Sequence, residues 1–166
     1  MKKFLVIGNP IKHSLSPELH NYWIKNNNIN AIYEKQKLNK DQLKQFISQV
    51  KDNKINGINI TVPFKKMVIP YLDELSAEAE STQSVNTIYK KDNKVIGHNT
   101  DIFGFKASIE KAKYNVNNKE VLILGAGGVV PSIIFSLIKM KASKIKICNR
   151  TKEKAENLKK LFKNIE

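Results

Sequence analysis

The stretch that most limits what this chain can fold into is Ile58-Asn59-Ile60-Thr61-Val62-Pro63-Phe64-Lys65. Ile58, Ile60 and Val62 alternate with Asn59 and Thr61, the period-two pattern of a strand with one apolar and one polar face. Pro63 has no N–H and a fixed φ, so the ladder stops there and a turn or helix start follows. Asn59, Thr61 and Lys65 then converge at one strand end. Amide and hydroxyl both donate and accept, and an ammonium can exchange a proton, so the set suits a small polyhydroxylated substrate. The same residues would also make an ordinary surface strand end with a solvated lysine.

With 166 residues the chain can build one large domain or two small ones. A net charge of +14 raises nucleic acid or anionic membrane as partners. Arg150 is the only arginine, however, and the lysines are scattered singly or in pairs among many asparagines. Without a dense basic block or aromatic interleaving, neither nucleic acid nor membrane is expected. Cys148 stands alone, which excludes a disulfide framework and a sulfur-rich metal site; a small buried apolar residue at a strand end is expected. His13 and His20 lack metal-ligand spacing and read as packing or surface groups, so no metal is expected. The apolar run Phe4–Ile7 is too short for a signal-peptide core, and no segment approaches transmembrane length. A cytoplasmic protein is expected.

Phe4 to Gly8 reads as a buried strand closed by a Pro10 turn. Ser16 before Pro17 fits an N-cap followed by proline at the first helical position. Ser14 and Ser16 thereby sit at a helix N-terminus, where hydroxyls, free N–H groups and the dipole favour an anion such as a carboxylate. Alternatively Ser16 caps its own helix and Ser14 is a turn residue. A strand over Ala31–Leu38, a helix over Lys40–Val50 and short helical pieces at Met67–Leu72 and Ser76–Ser81 follow. Ser84–Tyr89 alternates toward a hairpin at Lys91–Lys94, and His98–Asp101 caps a helix from about Ile102 to Ala112.

From Lys119 the pattern becomes strand (Glu120–Leu124), glycine turn (Gly125-Ala126-Gly127-Gly128), apolar helix (Val129–Met140), strand (Lys144–Cys148) and helix (Lys152–Phe162). That is the first βαβ unit of a dinucleotide-binding fold, whose glycines let backbone approach a pyrophosphate at the helix N-terminus. NAD sites place an acid at the end of the second strand, about 20 residues on, for the ribose 2′-hydroxyl. Here that end is Asn149-Arg150-Thr151, followed by Lys154. A guanidinium, a hydroxyl and an ammonium suit the 2′-phosphate of NADP instead. The other reading has Asn149 and Thr151 capping a helix beside a solvated Arg150.

Taken in order, Gly8-Asn9-Pro10-Ile11 with His13-Ser14-Leu15-Ser16-Pro17, Asn59–Lys65, Val85-Asn86-Thr87, Gly97 with Asn99-Thr100-Asp101, Gly125–Gly128 and Asn149–Thr151 make the chain resemble shikimate dehydrogenase. The resemblance implies an α/β fold: an N-terminal substrate-binding domain over residues 1–101, then an incomplete Rossmann-type dinucleotide-binding domain over residues 102–166. It implies interconversion of shikimate and 3-dehydroshikimate with NADP, in a monomer or homodimer. It assigns the substrate carboxylate to Ser14 and Ser16, and the hydroxyls to Asn59, Thr61, Asn86 and Asp101. Lys65 and Asp101 stand at the reacting hydroxyl as the catalytic pair. Gly125, Ala126, Gly127, Gly128 and Val129, with Asn149, Arg150, Thr151 and Lys154, are the expected cofactor residues.

Two departures accompany the resemblance. Val130, Pro131 and Ser132 stand where relatives more often carry alanine and then a basic residue, which removes a phosphate cation. The Rossmann-type part also stops after its second helix, so Lys144–Cys148 is expected to have a bare edge and the chain to be the front part of an enzyme. A quinate/shikimate dehydrogenase using NAD, or a silent shikimate- or nucleotide-binding module, are the competing readings.

Overall fold

In the computed structural model, which describes residues 1–163 and 165–166, the N-terminal apolar run forms β1 (Lys2–Gly8). It pairs in parallel with β2 (Ala31–Lys37) on one side and β3 (Gly57–Ile60) on the other. β5 (Thr87–Lys91) runs antiparallel to β3, and β6 (Lys94–His98) antiparallel to β5. The two-residue β4 (Glu74–Leu75) closes the far edge, giving the order β2-β1-β3-β5-β6-β4. Asp92 and Asn93 join β5 to β6 with φ of 49° and 62°. Two left-handed residues are what a tight hairpin following the strand twist requires.

Alternation assigns the two faces of this sheet. Leu5, Ile7, Ile58, Ile60 and Ile88 pack with Leu43, Ile47 and Val50 of α2 (Leu43–Lys51) and with Phe64 and Val68. Val6 and Tyr33 lie on the opposite face with Ile11, Phe4 and Ile24, the last from α1 (Ser16–Asn26).

Several local expectations are revised. Val62 does not continue the buried row; β3 ends at Ile60, and Val62 is 57% exposed. The helix expected over Lys40–Val50 begins as a separate 3₁₀ turn, Lys40–Gln42, because Asn39 and Gln42 close a capping box there. The expected helix over Met67–Leu72 is a single 3₁₀ turn, Ile69–Tyr71. β4 follows it and is too short to carry a periodic signal. α3 (Ala77–Thr82) starts where the Ser76 hydroxyl accepts the Ala79 N–H.

The chain divides into two compact units: Met1–Ala79 with Val85–His98, and Glu80–Ser84 with Asn99–Glu166. In the second, β7 (Glu120–Leu124) and β8 (Lys144–Cys148) pair in parallel around the connecting α5 (Val130–Lys139). α4 (Asp101–Lys111) precedes β7, and α6 (Lys152–Leu161) follows β8. Ile123, Ile145, Ile134, Leu137, Leu158 and Phe162 form its core. Leu122 and Leu124 face outward, 60% and 77% exposed. Cys148 lies opposite Leu124 in register and is exposed, not buried as expected, because period two puts it on that outer face. The edge of β8 is not bare either. Ile165 bridges Ile145 in parallel, Glu166 N donates to Ile145 O (2.9 Å), and Ile147 N donates to Glu166 O (2.8 Å). No helix among the described residues is long and apolar enough to cross a membrane.

Gly97, one of the motif glycines, is required by space. A Cβ there would meet Leu72 Cδ1 at 2.5 Å, Val85 Cγ2 at 2.9 Å and Leu75 Cδ2 at 3.0 Å. Overpacking of this kind costs roughly 1–3 kcal/mol. Gly97→Ala is expected to lower the urea midpoint correspondingly, and an unchanged midpoint would show that the three side chains yield freely.

Candidate functional site

Because β1 and β3 are parallel neighbours, their C-terminal ends open on the same edge of the sheet. Thr61 N donates to Ile7 O (3.0 Å) and Asn9 N to Val62 O (3.0 Å), so the two following loops are tied together. Asn9 also donates through Nδ2 to Leu38 O (3.1 Å), anchoring its loop beyond β2. Between the loops lies a cavity of about 270 Å³ lined by Ser14, Ser16, Thr61 and His13 over Val6, Pro10 and Ile11. Ser16 is not the N-cap. α1 begins at Ser16, Leu15 occupies the cap position, and Leu19 N donates to Leu15 O. Ser14 Oγ instead accepts the Ser16 N–H at 3.3 Å. Two hydroxyls and a helix N-terminus thus share one cavity with Thr61, an arrangement suited to a carboxylate on a hydroxylated molecule.

Asn59 lies two residues before Thr61 on the same strand, and its amide is bound within the protein. Oδ1 accepts from the Tyr33 hydroxyl at 2.6 Å, while Nδ2 donates to Thr87 Oγ1 (3.1 Å) and Asn86 O (3.4 Å). Thr87 Oγ1 donates in turn to Asn86 Oδ1 at 3.0 Å. Tyr33 is itself held at both backbone groups. The Asn21 side chain accepts from its N (2.9 Å) and donates to its O (2.8 Å), and His20 stacks on its ring at 4.1 Å. Burial pushes the Tyr33 phenol well above its ordinary range and holds His20 below the usual imidazole value. Asn59, Tyr33, His20 and Trp23 line a second, largely apolar groove of about 570 Å³. Tyr33 carries no signal as a site residue in the sequence, and Asn9 and Thr87 stand in motifs of the resemblance without an assigned role.

Lys65 sits half-buried in the turn after Pro63, and its carbonyl accepts from Val85 N at 2.8 Å. This pins the Lys65 turn beside Asn86, which is buried and bonded along its backbone to both flanking strands: Ile60 N to Asn86 O (2.8 Å) and Asn86 N to His98 O (3.0 Å). The first unit therefore gathers Ser14, Ser16 and Thr61 around one cavity and joins Asn59 to Asn86 in one network. Asp101 belongs to the second unit, as the first residue of α4. Its N–H donates to Oδ1 of the buried Asn99 (3.0 Å), whose Nδ2 donates to Thr82 Oγ1 and Ser132 Oγ, both at 2.9 Å.

In the second unit the glycine turn joins β7 to α5. Gly125 has φ of 113°, a conformation that favours glycine, and its N–H donates to Cys148 O at 2.8 Å. Gly127 and Gly128 are exposed, and a Cβ on either would meet nothing within 4 Å. Val129 takes the N-cap position, while Val130 is buried in the core of this unit. Ser132 is fully buried on Asn99, so that position serves packing. At the end of β8, Asn149 Nδ2 donates to Thr151 O (2.7 Å) and shapes the turn, leaving Arg150, Thr151 and Lys154 exposed around it. An open glycine turn at a helix N-terminus, near a strand end bearing guanidinium, hydroxyl and ammonium, fits a dinucleotide with a further phosphate. Among the described residues no group of three or more His, Cys, Asp or Glu could hold a metal ion.

Comparison with known proteins adds to this geometry. Residues 6–88 match the family described as shikimate dehydrogenase substrate binding domain, and residues 107–166 the family described as shikimate / quinate 5-dehydrogenase. A shikimate dehydrogenase (NADP(+)) of Pelagibacter ubique is 64% identical over 165 residues, 99% of this chain and 62% of the relative. The crystal structure of shikimate dehydrogenase from Aquifex aeolicus matches with TM-score 0.93 and 40% identity, over 100% of this chain and 62% of that one. That of Thermus thermophilus, solved with NADP(H) and shikimate, matches with TM-score 0.89 and 29% identity, over 100% and 63%. The chain spans about three fifths of the length of the curated relatives it matches.

The stacked His20 gives the first unit an acid sensitivity whose sign is set by burial. Its folded pKa lies below the unfolded value of 6.5, so the unfolded chain takes up the proton first as pH falls. The His20 contribution is intact above pH about 6.5 and is lost as pH falls toward the folded value. Urea midpoints at pH 7.5 and 5.5 are expected to differ less for His20→Phe, which keeps an aromatic ring on Tyr33, than for the wild type. An identical acid loss in both would exclude His20 as its source.

Proposed function

The chain belongs to the shikimate dehydrogenase family, and from that premise we propose that it carries the site residues of an NADP-dependent oxidoreductase interconverting shikimate and 3-dehydroshikimate. The observation that carries this reading is the shared cavity of Ser14, Ser16 and Thr61 at the N-terminus of α1. Residues 1–101 hold the substrate and residues 102–166 the cofactor. Small molecules are the only partners of this reading, with a monomeric or homodimeric state. A cytoplasmic setting is part of it, supported by the exposed free thiol of Cys148.

Substrate binding follows from the donors present. The Ser14 and Ser16 hydroxyls receive the carboxylate, with the positive end of the α1 dipole behind them. Thr61 and Asn86 hold ring hydroxyls, and the half-buried Lys65 with Asp101 takes the proton of the reacting hydroxyl. NADP, when bound, supplies the hydride acceptor. The Gly125–Gly128 turn, exposed at Gly127 and Gly128, receives its pyrophosphate, and Arg150, Thr151 and Lys154 its 2′-phosphate.

Shikimate-dependent formation of NADPH by the purified chain tests the reading directly; a chain that neither turns over nor binds shikimate would overturn it. Lys65→Ala is expected to lower turnover by about 10²–10⁴-fold, the usual contribution of a general acid–base group, while shikimate binding weakens only modestly. A variant keeping more than half of the wild-type rate would remove Lys65 from the proton transfer. Arg150→Ala is expected to weaken NADP by roughly 1.5–3 kcal/mol, the value of a charge-assisted pair, and to leave NAD nearly unchanged. Equal losses for the two cofactors would contradict the 2′-phosphate assignment.

A further inference from the structure

One wall of the serine cavity is a tight turn, and a lysine from the neighbouring strand is bound to the middle of it. Ser14 N donates to Ile11 O at 3.1 Å, which closes the turn Ile11-Lys12-His13-Ser14. Ile11, His13 and Ser14 line the cavity. The Lys12 carbonyl belongs to the central peptide of the turn and accepts from Lys35 Nζ at 2.7 Å. Lys35 stands on β2 opposite Val6 of β1 in register. Residues paired in register share a face of the sheet, and Val6 lines the cavity, so the Lys35 side chain rises on the side where the cavity lies. Glu34, one residue earlier, turns to the other face and is bound there by Lys3 at 2.7 Å. A turn closed by a single bond has two common states, which differ by turning over the central peptide. The turned-over state needs a positive φ at the third residue, and neither Lys12 nor His13 has one. It would also pull the Lys12 carbonyl away from the ammonium and lose a charge-assisted bond.

We infer that Lys35 is a positioning residue of the substrate site: its ammonium holds the Lys12–His13 peptide and thereby fixes where the next residue, Ser14, presents its hydroxyl. Ser14 Oγ accepts the Ser16 N–H at 3.3 Å, which leaves its own hydrogen for a carboxylate in the cavity. A turn kept in one state delivers that hydrogen to one place, so binding does not first have to order the loop. Lys35 acts through the turn and is not itself among the residues that line the cavity. The inference rests on the carboxylate role proposed above for Ser14, but the bond from Lys35 to the turn does not.

Lys35→Met keeps an apolar stem and removes the ammonium; Lys35→Arg restores charge and donors. Because Lys35 is exposed, both variants are expected to keep the wild-type urea midpoint. Calorimetric titration of the purified chain with shikimate is expected to show about fivefold weaker binding for Lys35→Met, the effect of one net hydrogen bond, and near wild-type affinity for Lys35→Arg. In a Ser14→Ala background, Lys35→Met is expected to cost almost nothing further, because the group it positions is gone. A loosened β2, or a long-range effect of charge alone, would instead weaken binding by the same factor with or without the Ser14 hydroxyl. In parallel, ¹⁵N spectra report the backbone amides of His13 and Ser14, which are expected to shift in Lys35→Met and to return in Lys35→Arg. Unchanged shikimate affinity in Lys35→Met, an equal loss in the Ser14→Ala background, or unshifted His13 and Ser14 amides would overturn the inference. If the wild type itself binds no shikimate, the functional reading fails and the binding role of Lys35 with it, while the amide signals still decide whether the ammonium holds the turn.

Discussion

The parallel pairing of β1 with β3 is the constraint on which the first unit depends. Parallel strands end on the same edge, so the loop after Gly8 and the turn after Ile60 must leave side by side. The bonds Thr61 N to Ile7 O and Asn9 N to Val62 O extend that pairing past the last strand residues. Gly8 permits the approach: a Cβ there would lie 2.6 Å from the Thr61 methyl and 3.1 Å from Val62 O. Had the strands run antiparallel, the serines at the start of α1 and Thr61 would lie at opposite ends of the sheet, with no shared cavity. The position of polar groups at strand ends is thus a consequence of topology before it is a matter of side-chain chemistry.

Polar networks then supply the orientation that an apolar core cannot. The core behind β1 and β3 is aliphatic and holds the strands at a fixed depth without specifying which way an amide points. In the first unit, Tyr33, Asn59, Thr87 and Asn86 form one such network, in which the Asn59 amide is turned with its oxygen to Tyr33. In the second, the fully buried Asn99 joins Thr82, Ser132 and the N–H of Asp101, and Ser136 reaches Ile102 O, tying the start of α4 to α5. Both networks give partners to polar groups removed from water, whose burial would otherwise cost free energy. The residues argued to meet substrate are therefore held by neighbours that do not themselves meet it.

Legibility in the sequence followed how local each cause is. The alternation of β3, its stop before Pro63, the Asp92–Asn93 hairpin and the β7–glycine–α5 grammar are set by neighbouring residues, and each was readable. The expectations that failed turned on a hydrogen bond or a register that residue type alone does not show. Ser16 before Pro17 has the residue type of a cap, but the Ser14 hydroxyl accepts its N–H and Leu15 holds the cap position. Cys148 ends an apolar strand, which suggests burial, yet register with Leu124 puts it on the exposed face of a two-stranded sheet. The sequence pattern leaves the edge of β8 bare, but Ile165 and Glu166 return to it after α6, a pairing too short for any periodic signal.

By itself the sequence determined the elements, their α/β order and an inventory of candidate groups: hydroxyls at a helix start, an amide–hydroxyl–ammonium set at a strand end, and a glycine turn with Arg150 beyond it. These depend on residue type and spacing, which local sterics and periodicity translate directly. Only the tertiary structure decided which of those groups meet. Ser14 and Thr61 are separated by about half of the first unit's chain and share a cavity because β1 and β3 pair. Asn59, read as a substrate ligand, has its amide bound between Tyr33 and Thr87 because β2, β3 and β5 bring those side chains to one face. Contacts between residues distant in sequence depend on strand order and register, and neither is encoded in any single stretch of the chain.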